Sequence, residues 1–409
     1  MSELQNARIA RLQRIGPGTP AGKYMRFFWH PIAGADELKK GDTRKITLLG
    51  ENLVLFRGES GKPGLVIERC PHRGASLSIG FVDGDTLRCA YHAWQYDTAG
   101  KCLEQPSEPN GGKNLERYGV KSYPVQEQGG LIFAYLGEAP YPLLPRFELM
   151  VDEGRDHDVG ISDVPCNWLQ ISENNMDPYH VEFLHMMYSN VLRKKRGLAP
   201  LGVRTHKKIA FDVIHYGIVK RRLWVGDIEA GNEEWTVGHP VLFPGTAVVP
   251  ITKDWVQMQI RVPIDDQNTR VYWYNSKRRQ AGEKPSGACP VWANPWQKPN
   301  GEMDLDSLNA QDMSVFVTQG PISNHDDENL VTSDVGVALY RKTILDQIDA
   351  IEAGRDPLGV VRDVKENTPW IELPAETHFG FSFAGLQSSA AYAHPEGEQH
   401  TLHEAASAK

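Results

Sequence analysis

The sequence lacks the features that mark several large classes of protein. It has no apolar run close to the roughly 20 residues that a membrane-spanning helix needs. Its formal net charge is -8, whereas nucleic-acid-binding proteins usually carry a basic excess. Residues 1–15 are polar and of mixed charge, so we expect no secretory signal. These absences predict a cytoplasmic protein that binds neither membranes nor nucleic acids.

Cysteine is also scarce, with five residues in a chain of 409. That number is too small for a disulfide framework in a chain of this length. Three of the five, Cys102, Cys166 and Cys289, are interpreted as isolated buried thiols. The hydrophobic content of 40% and the charged content of 23% are ordinary for a globular enzyme. The length itself favours two domains.

The residue patterns predict an α+β protein with a small all-β domain followed by a larger catalytic domain. Short β-branched and apolar runs separated by glycine, at 46–56, 64–69 and 86–91, continue to the proline-rich stretch at 139–145, which we take as the domain boundary. Beyond it, strand-like segments at 209–225, 234–249, 255–264 and 270–274 alternate as in an antiparallel sheet, with helices predicted over 167–188, around Asp312 and over 337–351. The predicted divisions are an N-terminal segment 1–23, the small domain 24–145, the catalytic domain 146–390 and a loose tail 391–409.

The most informative stretch of the small domain contains two matched pairs of metal-binding side chains. Cys70 and His72 form a Cys-x-His pair, and Cys89 and His92 form a Cys-x-x-His pair sixteen residues later. A Rieske [2Fe–2S] centre needs this set, because two Cys bind one iron and two His bind the other. A structural zinc site uses the same residue types. Zinc fingers, however, favour a Cys pair followed by a His pair, so the order favours the iron–sulfur cluster.

A second candidate metal site lies in the catalytic domain, in the stretch from Asn174 to His185. It contains Asp177, His180 and His185 in the pattern Asn-x-x-Asp-x-x-His-x-x-x-x-His. Two His and a carboxylate form the facial triad of non-haem Fe(II) oxygenases, which leaves open positions for O₂ and substrate. Five residues is not a same-face spacing on an α-helix, so we expect a helix distortion or end between the two His. With fourteen His in the chain, the two could also be ordinary histidines.

The two motifs together resemble the large oxygenase subunit of the Rieske non-haem iron aromatic-ring oxygenases, in particular the phthalate-dioxygenase-like branch. The likeness extends over nearly the whole chain and includes the loop flanks at 70–74 and 91–97 and the entry segment at 18–31. It implies a Rieske domain, a catalytic domain of helix-grip type, a [2Fe–2S] cluster and a mononuclear Fe(2+). It also implies electron supply from a separate flavin and iron–sulfur reductase that uses NAD(P)H, and a homotrimer or stacked trimers.

The resemblance further assigns roles to individual residues. His180 and His185 correspond to two iron ligands, and Asp177 to the residue that links the cluster of one subunit to the iron of its neighbour. Asp312 corresponds to the third, carboxylate ligand, while His325 stands where the branch implies an arginine. Four other acidic residues are alternatives to Asp312 and lie in less motif-like surroundings: Asp304, Asp306, Asp326 and Asp327.

The resemblance implies an aromatic carboxylate as substrate, such as a carboxylated diaryl ether (phenoxybenzoate) cleaved by angular dioxygenation. Phthalate or chlorobenzoate dioxygenation and O-demethylation are alternatives, and a plain Rieske electron carrier is the non-enzyme alternative. A substrate carboxylate would need a basic partner, for which Arg204, Lys220, Arg221 and Arg222 are candidates. Strand alternation places Lys220 and Arg222 on one face and Arg221 on the other, and we interpret this segment as a solvated basic edge. Asn167 and Asn174 are candidates for positions around the iron or its access path.

Overall fold

The computed structural model describes residues 3–374. The predicted tail at 391–409 and the end of the predicted catalytic domain lie outside the described residues. Two helices open the chain, α1 (Glu3–Gln13) and α2 (Pro20–Met25). The strands of the first half are β1 (Trp29–Gly34), β2 (Thr43–Leu48), β3 (Glu51–Arg57), β4 (Pro63–Ile67), β5 (Phe81–Asp83), β6 (Thr86–Arg88), β7 (Gln95–Tyr96), β8 (Cys102–Glu104), β9 (Ser122–Tyr123), β10 (Val125–Gln128) and β11 (Leu131–Tyr135).

These strands form three antiparallel sheets with the orders β1-β11-β10, β2-β3-β4-β9 and β5-β6-β7-β8 in the described part of the chain. The run predicted as one strand from Ile46 to Phe56 is two strands, because Leu49 and Gly50 both have positive φ (51° and 77°) and make a two-residue hairpin turn. The strand expected over Thr86–Tyr91 stops at Arg88, where the loop with the second Cys begins. Both candidate cluster loops follow strand ends, as predicted.

The second half begins with α3 (Glu148–Val151) and is built around a long sheet. Its helices are α4 (Trp168–Asn174), a π-helix (Val181–Tyr188), α5 (Ser189–Lys195), α6 (Glu233–Thr236), α7 (Leu308–Thr318) and α8 (Val335–Glu352). Its strands are β12 (Arg155–Val164), β13 (His206–Ile214), β14 (Gly217–Trp224), β15 (His239–Leu242), β16 (Thr246–Thr252), β17 (Trp255–Pro263), β18 (Thr269–Arg278) and β19 (Val291–Ala293).

The large sheet has the order β13-β14-β15-β16-β17-β18-β12-β19, and every neighbouring pair is antiparallel except β12 and β19. The mixed α+β class is therefore confirmed. One expectation was wrong, because the segment predicted as strand from Glu234 begins as helix α6. There the Asn232 side chain accepts a hydrogen bond from the Trp235 amide and caps the helix. The helix predicted over 337–351 is α8, and Gly354 follows it with φ of 74°.

The N-terminal helix packs on the second half of the chain rather than on the small sheets. Arg11 on α1 forms ion pairs with Asp349 and Glu352 on α8, at 2.8 and 2.9 Å. Trp168 of α4 donates its indole N–H to the Leu12 carbonyl. Within residues 3–374, none of the helices combines the length and the apolar character required to cross a membrane.

Candidate active site

The two loops of the small domain share one hydrogen-bond frame. In the first loop the Cys70 amide donates to the Ala75 carbonyl and the Gly74 amide donates to the Cys70 carbonyl, both at 2.9 Å. The same two bonds recur in the second loop at Cys89, Ala93 and Trp94. Gly74 and Ala93 occupy equivalent positions and both have positive φ, 73° and 56°. The loops are therefore two copies of one turn, and each presents one Cys and one His.

The Cys and His side chains of these loops differ in how deeply they are buried. Cys70 and Cys89 are buried free thiols, whereas His72 is exposed and His92 half-buried. The two imidazole rings lie 4.5 Å apart, and His72 stacks on Trp94 at 4.7 Å. Two inner thiols and two outer imidazoles are the donor set of a Rieske cluster whose His-bound iron faces the surface.

Beneath the loops, the Tyr96 hydroxyl lies 3.2 Å from the Cys70 sulfur. Hydrogen bonds to sulfur tune the reduction potential of iron–sulfur clusters. Burial raises the pKa of the Cys70 thiol, which is what an apolar pocket does to a thiol with no metal bound to it. Tyr96 was not recognised from the sequence, because nothing in its local pattern distinguishes it from other strand tyrosines.

Replacing Cys89 with Ser should abolish the reddish-brown colour and the reduced-state EPR signal of a Rieske centre. Cysteine thiolates hold the inner iron of a Rieske centre, and serine lacks that sulfur ligand. Visible absorption and EPR of the purified variant measure the loss. Cys102→Ser is the matched control, since Cys102 is buried close to the same pocket but belongs to neither loop. If the Cys89 variant kept both signals, the cluster assignment would be wrong.

In the second half, the structure brings His180, His185 and Asp312 together. Their ligand atoms all lie within 4.8 Å of one another. His185 Nε2 is 3.2 Å from Asp312 Oδ1, and His180 Nε2 is 3.9 Å from the same oxygen. The sequence resemblance grouped these three residues, and the fold places them at one point although 127 positions separate the last two.

The five-residue spacing between the histidines is explained by the π-helix. His180 directly precedes this helix and His185 lies in it. A π-helix places residues i and i+5 next to each other, whereas an α-helix does so at i and i+4. The two rings are accordingly 5.2 Å apart and nearly perpendicular. The predicted helix distortion is confirmed.

Each histidine is held through its other ring nitrogen. His185 Nδ1 is 3.0 Å from Gln311 Oε1, and His180 Nδ1 is 2.5 Å from the main-chain oxygen of Asp177. Such contacts fix the tautomer, so that Nε2 of each ring is the nitrogen available to a metal. Burial lowers the pKa of His180 to about 4, which keeps its ring neutral at physiological pH.

The carboxylate of Asp312 has the burial and the charge expected of a metal ligand. Its Oδ1 is buried and has no hydrogen-bond partner in the described structure, even though His185 Nε2 lies nearby. Burial alone would raise the pKa of this carboxyl, but His185, His180 and Arg261 outweigh it, so the pKa lies below its usual value. A buried, ionised oxygen beside two imidazole nitrogens fits a bound Fe(II).

A second group of possible ligands, Glu173, His325 and Glu328, is a different kind of site. Arg341 contacts both carboxylates bidentately, at 2.5 and 2.8 Å in each case. Since a guanidinium already neutralises these oxygens, a metal would have to displace it. His325, where the resemblance implies an arginine, is buried and contacts Gln13 at 3.0 Å. The positive charge that pairs with Glu328 is instead that of Arg341 on α8.

The other sequence candidates lie elsewhere. Asp306 pairs with Arg196 and donates its amide to Asp304 in the same turn, while Asp326 and Asp327 lie in a second turn and hydrogen-bond to Asn324. Asn174 lines the cavity beside His180, but Asn167 caps α4 and donates to main-chain oxygens of residues 13 and 266. Arg204 pairs with Asp227, and Arg221 pairs with Asp212 on the other face of β14.

The interpretation of residues 220–222 as a solvated edge was wrong. Lys220 and Arg222 are 6% and 1% exposed, because the helices cover the face of β14 on which they lie. Arg222 pairs with buried Glu234, and both basic residues line the cavity that contains the three metal-site residues. This cavity has a volume of about 90 Å³, which is small beside the roughly 300–1,000 Å³ of typical small-molecule sites.

Comparison with known proteins agrees with this geometry. Residues 28–124 match the Rieske [2Fe-2S] domain. The oxygenase subunit of 5,5'-dehydrodivanillate O-demethylase from Sphingobium sp. SYK-6 is 38% identical over 91% of this chain and 86% of its own. The alpha subunit of phenoxybenzoate dioxygenase from Ectopseudomonas oleovorans is 34% identical over 86% of this chain and 87% of its own. The fold is also that of the carbazole 1,9a-dioxygenase terminal oxygenase from Novosphingobium sp. KA1, with a TM-score of 0.63, 21% identity, and coverage of 84% of this chain and 96% of that one.

The chain therefore belongs to the Rieske non-haem iron oxygenases, enzymes that combine a [2Fe–2S] cluster with a mononuclear iron. Within that family it is the terminal oxygenase of an aromatic dioxygenase or monooxygenase system.

Proposed function

We propose that this oxygenase cleaves an ether bond of an aromatic carboxylate by oxidising a carbon attached to the ether oxygen. The observation that carries the proposal is the convergence of His180, His185 and Asp312 in a cavity that also contains buried Lys220. The two relatives named above act on a vanillate-type ether and on phenoxybenzoate, and both substrates combine a carboxylate with an aryl ether.

In this proposal Cys70, His72, Cys89 and His92 hold the cluster, and His180, His185 and Asp312 hold the iron, which supplies O₂ activation when bound. Electrons come from NAD(P)H through a separate flavin and iron–sulfur reductase. The protein keeps the His180 imidazole neutral, holds one ring nitrogen of each histidine by a hydrogen bond, and lowers the pKa of the Asp312 carboxyl. Apolar residues of β16 line the cavity and can contact an aromatic ring, namely Ala247, Val249 and Ile251.

We further propose that Asp177 couples the two centres across subunits in a homotrimer or stacked trimers. Its side chain is 32% exposed and lines a surface opening that also contains His180. A carboxylate at such an opening can accept a hydrogen bond from an exposed imidazole of another copy, and His72 is exposed on the small domain.

Two outcomes share the proposed chemistry and differ in which carbon is oxidised. Hydroxylation of a methoxy carbon gives a hemiacetal that breaks into formaldehyde and a phenol, with the second oxygen atom of O₂ leaving as water. Angular dioxygenation of a diaryl ether places both oxygen atoms on the ring and gives a phenol and a dihydroxybenzoate. Each consumes the electron pair of one NAD(P)H. The greater identity to the O-demethylase subunit favours the first.

Product analysis tests the proposal. The holoenzyme with a reductase and NADH should release formaldehyde from vanillate-type biaryls, or phenol from phenoxybenzoate, in proportion to the NADH consumed. Methyl esters of the same compounds should react far more slowly, because the carboxylate is required for binding. The proposal would be abandoned if neither class gave product while phthalate or chlorobenzoate was converted to a diol.

A further inference from the structure

A continuous chain of side-chain hydrogen bonds follows the cavity face of β17 and β18. Arg261 Nη2 donates to Gln259 Oε1 at 2.9 Å, and Gln259 Nε2 donates to Gln257 Oε1 at 3.0 Å. Gln257 Nε2 then donates to Asn275 Oδ1 at 3.1 Å, and Asn275 Nδ2 donates to Asp158 Oδ1 at 2.6 Å. Three amides are thus aligned between a guanidinium and a carboxylate.

The direction of this chain is fixed by its ends. A guanidinium can only donate and an ionised carboxylate can only accept, so reversing any amide would oppose donor to donor. The indole N–H of Trp255 is a further pure donor and contacts Asn275 Oδ1 at 3.1 Å. Lys277 donates to the other carboxylate oxygen of Asp158 at 2.8 Å, so both oxygens at this end of the chain accept hydrogen bonds. The orientation of each amide therefore follows from the residues around it.

The fixed direction of the hydrogen-bond chain determines which donor and acceptor groups of the two glutamines remain for a ligand in the cavity. Gln257 and Gln259 both line the cavity with His180 and Asp312. Each has an oxygen engaged by a donor and an amino group of which the chain uses one N–H. The second N–H of each is not used by this chain, so each glutamine keeps a donor for a ligand in the cavity.

Lys220 adds positive charge to the same wall. It is 6% exposed, lines the cavity from β14, and pairs in register with His239, another lining residue. A cation beside oriented N–H groups is a good environment for a carboxylate.

We propose that Gln257, Gln259 and Lys220 form the subsite that binds the substrate carboxylate. Arg261 and Asp158 are positioning residues that hold the two glutamine amides in the donor direction. This inference rests on the proposed function, because it takes an aromatic carboxylate as the substrate. It adds the residues that distinguish a carboxylate from its neutral ester.

The test is equilibrium binding to the anaerobic holoenzyme, without turnover, by isothermal titration calorimetry. The two probes are phenoxybenzoate and its methyl ester, which share the aromatic surface and differ in charge. The wild-type protein should bind the acid at least about tenfold more tightly than the ester, as expected for hydrogen bonds to a charged group. Lys220→Met should remove most of that preference and leave ester affinity unchanged.

Gln259→Glu is the sharper variant, because it keeps the side-chain shape and can still accept from Arg261, but places a negative charge on the wall. It should weaken acid binding by about 100-fold or more, through lost donors and like-charge repulsion, without weakening ester binding. Gln259→Leu, which removes the donors without adding charge, should give a smaller loss. Surface changes of the same kind, Lys253→Met and Gln267→Glu, are the matched controls and should have no effect, since both residues are exposed.

The outcomes separate the subsite from the proposed function. If the wild-type protein bound acid and ester equally, the aromatic-carboxylate substrate class would fail and the subsite with it. If the wild-type preference existed but survived in Lys220→Met and in both Gln259 variants, the subsite would be wrong and the proposed function would stand. Equal losses for acid and ester in correctly folded variants would show a role in cavity shape and would also overturn the subsite.

Discussion

His185→Ala is expected to lose the mononuclear iron and nearly all product formation while its cluster remains intact and reducible. The ring is 5% exposed, with Nε2 facing Asp312 and Nδ1 held by Gln311. Its removal leaves two protein ligands where a facial triad needs three. Loss of partners that only orient ligands already weakens metal binding by about 10- to 100-fold, and loss of a ligand should cost more.

Metal analysis by mass spectrometry measures this effect directly. Iron should fall from about three atoms per chain, the cluster pair plus one, to about two. The absorption spectrum of the cluster should not change. His215→Ala is the matched control, because His215 is an exposed histidine in the turn between β13 and β14. Wild-type iron content in the His185 variant would show that this ligand set is wrong.

Asp177→Asn is expected to slow electron transfer between cluster and iron by orders of magnitude while both centres still load. Asp177 Oδ1 accepts the Tyr179 amide at 2.8 Å, a helix-capping bond that Asn can also make. The contact to His180 Nδ1 comes from the Asp177 main-chain oxygen, which the substitution does not alter. The variant therefore changes little except the charge and acceptor capacity of the carboxylate.

Stopped-flow reoxidation of the reduced cluster, with substrate and O₂ present, measures that electron-transfer step. Asp334→Asn is the matched control, because Asp334 lines the same surface opening and accepts a main-chain amide at 2.8 Å. It should reoxidise at the wild-type rate. Reoxidation at a near-wild-type rate in Asp177→Asn would show that Asp177 acts only as a helix cap, and the bridging proposal would be wrong.

Local sequence patterns were sufficient to predict a candidate metal site where its side chains lie within one short segment. The two loops carry their four side chains within 23 residues, and the His spacing alone required a distorted helix, which is the π-helix after His180. Asp312 could be grouped with these residues only through the family resemblance. Nothing in the local pattern of α7 indicates which of its faces meets the π-helix.

Features that depend on contacts distant in sequence were misjudged or missed. Strand alternation correctly placed Lys220 and Arg222 on one face of β14, but it cannot show that helices cover that face, so both were interpreted as solvated. Gln311 contacts His185, and Tyr96 contacts Cys70, in each case from another segment of the chain. At Asp177, the main-chain oxygen makes the short contact to His180 Nδ1, while Oδ2 is 3.9 Å from the same nitrogen.

Anomalous diffraction at the iron edge from crystals of the holoenzyme tests the central claim most directly. The account predicts a single iron enclosed by Nε2 of His180, Nε2 of His185 and the Asp312 carboxylate. It also predicts an iron pair between the two loops that carry Cys70 and Cys89. No peak at the triad, or a peak instead between Glu173, His325 and Glu328, would contradict it.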